Sequence, residues 1–114
     1  MARMHVITTL FFIVLGIVHT VMTLVLYDAI NLDALWFAGT GLCLIFLGLF
    51  NLASRSAGNL ILSLCIAANA TCTVYFVLIV CLLPVANAFF GLVLVLLMLT
   101  GTVVQRSQRV KMNS

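Results

Sequence analysis

The stretch His5–Tyr27, HVITTLFFIVLGIVHTVMTLVLY, contains no Asp, Glu, Lys or Arg. About 20 apolar residues, rising 1.5 Å each, cross the ~30 Å hydrocarbon core of a bilayer as one helix. The run does not alternate between apolar and polar residues, as a strand of a membrane barrel would. It is longer than the ~7–15-residue apolar core of a signal peptide. Tyr27-Asp28-Ala29 is also a poor cleavage site, so the run reads as a retained transmembrane helix.

Three more uncharged runs follow, Ala34–Ser54, Asn59–Leu83 and Val85–Gln105. The chain has 114 residues, 66% hydrophobic and 6% charged. A soluble domain carries about 25% charged residues, and a chain this apolar cannot keep a water-soluble surface. The length fits a single integral-membrane domain over residues 1–114, with helices at about 5–27, 34–54, 59–83 and 85–105. The links Asp28–Asp33 and Arg55–Gly58 are short, and Pro84 alone separates the last two runs. Short links make successive helices antiparallel neighbours, and proline, with fixed φ and no N–H, suits a tight turn. The expected fold is an all-α, transmembrane four-helix bundle of up-down-up-down topology.

Charge orients that bundle. Arg3, Arg55, Arg106, Arg109 and Lys111 all fall on one side of it, and Asp28 and Asp33 on the other. Lys and Arg mark the cytoplasmic side, so both termini are expected there, in the cytoplasmic (inner) membrane of a bacterium. The net charge of +3 is then a topology signal, and no nucleic-acid partner is implied. The polar segment Ser107–Ser114 is expected to be a solvated, frayed end.

On a helical wheel, His5, Thr8, Thr9, Gly16, Thr20, Thr23 and Tyr27 share an arc of about 120° with His19. Leu10, Val14, Ile17, Val18, Val21, Leu24 and Val25 fill the opposite arc, which suits lipid. The second run carries a stripe of Phe37, Thr40, Gly41, Leu44, Gly48 and Asn51, with Trp36 near the outer interface. Cys65, Asn69, Cys72 and Thr73 share one side of the third run, whose small residues Ala67 to Thr71 point in every direction. Asn87, Gly91, Met98, Thr102 and Gln105 line up on the fourth. Gly16, Gly41, Gly48 and Gly91 are the expected points of close helix approach, because small residues let backbones meet.

Intramembrane ionisable residues often mark ion paths or ligand sites, and His19 is the one such group well inside a run apart from thiols and tyrosines. Counted by helical rise, Thr40, Thr73 and Gly91 come near its depth, so the candidate ligand or polar layer comprises His19, Thr20, Thr23, Thr40, Asn69 and Thr73. A structural histidine bonded across helices is the competing reading. Asn51 and Asn87 lie near run ends, within reach of interface water, whereas Asn69 is deep and needs a partner. His5 and His19 are about 21 Å apart on one helix and cannot share a haem iron. Haem ligation would need Met98 or a second protomer. Cys43, Cys65, Cys72 and Cys81 form no C-x-x-C pair and no zinc-ligand spacing, and read as buried free thiols. No metal site, cofactor or catalytic residue is expected.

In length and helix number the chain resembles the small multidrug resistance transporters. That family depends on a membrane-embedded glutamate in its first helix, and here the first run has none. The dual-topology fluoride channels are similar in size, but their glycine and arginine motif is missing, and the five-to-none charge bias opposes dual topology. Three classes remain, in order. The first is a non-catalytic structural or accessory component, in a homo-oligomer or with other membrane subunits. The second is a small oligomeric transporter or channel built around His19. The third is a haem- or lipid-cofactor-binding protein. An enzyme is not expected, since no nucleophile–base or carboxylate pair lies within the membrane.

Overall fold

A computed structural model describes residues 2–114. Four helices follow in order: α1 (Ala2–Leu26), α2 (Leu32–Ser54), α3 (Asn59–Leu82) and α4 (Ala86–Met112). No strand occurs among the described residues. All four helices are long and apolar enough to cross a membrane, and the chain is a small membrane protein. In hydrocarbon every backbone polar group needs an internal partner, and an uninterrupted helix supplies one to all but its ends.

The helix ends follow local chemistry. The Asn31 side chain accepts the Ala34 amide at 2.8 Å. This N-cap starts α2 at Leu32, two residues before the uncharged run, with Asp33 in the favourable first turn. Pro84 lies between the C-cap of α3, Leu83, and the N-cap of α4, Val85. The largest departure from the sequence reading is α4, which continues to Met112 instead of fraying after Gln105. Its polar end has partners: Gln105 Nε2 donates to the Arg55 carbonyl at 3.1 Å, and the Arg109 guanidinium donates to the carbonyls of Arg55 and Ala57. These carbonyls, at and beyond the end of α2, lack helical partners of their own.

Lipid-facing and protein-facing sides separate cleanly on α1. Leu10, Val14, Ile17, Val18, Val21, Leu24 and Val25 are all exposed, while His5, Thr8, Thr9, Phe12 and Gly16 are buried. The apolar core comprises Phe12, Leu44, Phe76, Leu94, Val95 and Met98, and the Phe12 and Phe76 rings tilt against each other at 6.2 Å. On α3 the small residues do not all meet neighbours: Ala67, Ala70 and Thr71 face outward.

Helix α1 packs most extensively on α2, and α3 on α4; α1 also meets α4, and α2 touches α3 less than these pairs touch. Within each of the two close pairs the helices are in register about their link. Gly16 lies against Gly41, and Gly91 against Phe76. The two pairs are displaced relative to each other. A hairpin centred on Arg55–Gly58 would set Asn51 opposite Leu62, but Asn51 bonds to Asn69, seven residues further along. That offset is about 10 Å of helical rise. It slides α3 and α4 toward the basic ends of α1 and α2 and contributes to a molecule 57 Å long.

Candidate functional site

The interior offers two kinds of helix contact. Along the α1–α2 seam the backbones themselves touch. A Cβ on Gly16 would stand 2.8 Å from the Gly41 carbonyl oxygen; one on Gly41 would stand 2.8 Å from the Gly16 carbonyl and from the Thr20 amide. The Thr20 hydroxyl donates back to the Gly16 carbonyl at 2.9 Å, which folds it down where Gly41 makes room. At Gly48 an added Cβ would meet the Ile13 side chain, with the Thr9 carbonyl at 3.5 Å. Gly91 leaves space on α4 for the Phe76 ring.

The second contact is polar. Asn51 and Asn69 form a reciprocal amide pair, each Nδ2 donating to the other's Oδ1 at 2.8 Å. Both side chains are fully buried. Asn51 also donates to the Leu47 carbonyl at 2.9 Å. Asn69 Nδ2 reaches Thr102 Oγ1 on α4 at 3.4 Å, and that hydroxyl in turn donates to the Met98 carbonyl at 3.0 Å. One cluster thus ties α2, α3 and α4. The expectation that Asn51 reaches interface water is corrected: the offset brings α3 and α4 over it.

The same offset decides what surrounds His19. Its ring is half-buried and stacks on Phe37 of α2, with centroids 3.8 Å apart and planes at 17°. Tyr27 tilts against the other end of this group, 5.8 Å from Phe37. Equal-depth counting set Thr73 and Gly91 beside His19, but the slide carries both toward the basic end. Thr73 donates to the Asn69 carbonyl and Thr40 to the Trp36 carbonyl, each within its own helix. Among the described residues no hydrogen bond joins His19 to Thr40, Asn69 or Thr73. The Thr23 hydroxyl is buried without a partner, and nothing in the structure accounts for it. Of the six polar-layer residues, His19 and Thr20 meet α2, at Phe37 and Gly41.

One feature escaped sequence reading: Phe12, two turns from His19 on the same arc, is the apolar centre of the core. His5, placed on that arc by the sequence, is 5% exposed. The thiols need a correction: Cys65 is buried and Cys72 half-buried, but Cys43 and Cys81 face outward. A thiol is apolar enough for lipid, so wheel position and not burial governs them. Among the described residues no three potential ligands converge on a metal-sized site. No protein family matches the chain, and no curated protein and no solved structure is detectably similar to it.

Proposed function

We propose that this chain is a non-catalytic structural or accessory component of a bacterial cytoplasmic membrane, working through helix contacts with copies of itself or with other membrane subunits. In this reading the bundle is up-down-up-down with both termini cytoplasmic. The observation that carries it is the use made of the interior: the deep polar groups Asn51, Asn69 and Thr102 are bonded to one another, and large apolar side chains face outward on every helix. Such a surface offers contact area to lipid or to another helix, and the bonded amide cluster supports cohesion.

A second reading, a small oligomeric transporter or channel, draws on the half-buried His19 ring and the buried, unpartnered Thr23 hydroxyl one turn further along α1. His19→Leu separates the two. For an accessory component, the variant keeps the mass of the complex measured after in-membrane cross-linking, and vesicles of wild-type protein show no solute flux above empty vesicles. A monomer that conducts solute, with flux abolished by His19→Leu in a folded bundle, would overturn the accessory reading. Reporter fusions at Arg55 and Ser114 should read cytoplasmic, and one at Asn31 should not.

A further inference from the structure

At the basic end of the bundle, away from the seam and the amide cluster, a cavity of about 170 Å³ opens between α1, α4 and the end of α2. Its polar wall is His5, Arg55, Gln105 and Gln108; Gly101 and Val104 supply an apolar part. The His5 ring also borders a smaller adjoining cavity of about 20 Å³. This ring is 5% exposed, and neither of its nitrogens has a hydrogen-bond partner. A neutral imidazole carries one donor and one acceptor, and leaving them unmet in a buried place costs about 1–3 kcal/mol each. Its seat is specific, because a Cβ on Gly101 would fall on His5 Nδ1.

The cavity's chemistry is one-sided. Arg55 contributes a guanidinium with five N–H donors in a fixed fork, the group that best matches the oxygens of a phosphate. Gln105 already spends one amide N–H on the Arg55 carbonyl, and each NH₂ group has two donors. All five Lys and Arg residues belong to this end of the bundle, and both Asp side chains to the other. No carboxylate side chain competes with an incoming anion. The molecule's 57 Å length exceeds the ~40–45 Å of a bilayer with its headgroups. The basic end therefore reaches headgroup level.

We propose that this cavity binds one phosphate group, carried by an anionic lipid or free in solution, with Arg55 as its principal donor and the His5 ring and the Gln105 and Gln108 amides completing its shell. The site is independent of whether the bundle is accessory or conducting.

The test uses the full chain in phosphatidylcholine nanodiscs. Inorganic phosphate is titrated while the ring signals of ¹⁵N-labelled histidine are followed by NMR. In parallel, nanodiscs doped with phosphatidylglycerol are opened into detergent and retained lipid is counted by native mass spectrometry. A saturable shift of the His5 signal with His19 unmoved assigns free phosphate; a single retained phosphatidylglycerol without that shift assigns the lipid. Arg55→Gln should weaken whichever binding is seen by about tenfold, the loss of a charged hydrogen bond. Arg106→Gln removes the same charge from an exposed position outside the cavity and should weaken it by less than about twofold. Equal loss in both variants would mean diffuse attraction and overturn the site. So would the absence of saturable binding to wild-type protein in both arms, a result that stands whether or not the variants fold.

Discussion

The α1–α2 seam and the Asn51–Asn69–Thr102 cluster hold helices together by opposite means. The seam has no hydrogen bond between side chains of the two helices; it works because Gly16 and Gly41 remove what would keep two backbones apart. The cluster joins α2 and α3, which touch less than any other pair of successive helices, through one pair of amides. In lipid the hydrophobic effect does not drive helices together, so close packing and interhelical hydrogen bonds are the available substitutes. Long-range contact is spent where backbones fit, and polar groups are spent where they do not.

Substitutions in both regions probe that contrast, each read as a shift in the free energy of unfolding in mixed micelles. Gly41→Leu should have the largest effect, at least about 3 kcal/mol, because the new side chain meets backbone that cannot turn aside. A small loss would mean that the seam is looser than the geometry requires. Asn69→Leu should cost about 2 kcal/mol, since it strands the buried Asn51 oxygen. The double variant Asn51→Leu/Asn69→Leu should return to within about 1 kcal/mol of wild type, because both halves of the pair are then apolar. Strict additivity of the two single losses would refute the amide pair. Gly48→Ala should cost about 1–2 kcal/mol, less than Gly41→Ala, as its Cβ crowds the Ile13 side chain while one on Gly41 meets backbone within 3 Å. His19→Leu should be mildest, roughly 0.5–1 kcal/mol, the worth of its stacking on Phe37. A loss above that of Asn69→Leu would make His19, and not the amides, the polar centre of the fold.

Periodicity and charge made the four helices and the lipid face of α1 legible, because each rests on local rules of rise and turn. The stripe of Gly41, Leu44, Gly48 and Asn51 on α2 was readable for the same reason, and all four are buried. Register between α2 and α3 was not. Equal-depth counting assumes that a four-residue link returns the chain at the level where it left, and here α3 is about 10 Å out of step. That single displacement explains why Asn51 is buried and why Thr73 and Gly91 are shifted away from the level of His19. The helical end of α4 was hidden for another reason: residues 106–112 are polar, and only the three-dimensional approach of the Arg55 and Ala57 carbonyls gives Gln105 and Arg109 something to hold.

The lipids around this molecule meet apolar belts of unequal height. Beside α1 and α2 the greasy surface runs out to the 28–33 link, where Ile30 is 87% and Trp36 71% exposed. Beside α3 and α4 it stops at Pro84, about 10 Å short of that level by the same offset. No leaflet of uniform thickness matches both flanks. Either the membrane dips against the Pro84 turn or the whole bundle leans, and each ångström of mismatch costs a fraction of a kcal/mol. The dip is one-sided. A neighbouring protein with a short hydrophobic span relieves it by settling beside α3 and α4, whereas one with a long span fits beside α1 and α2.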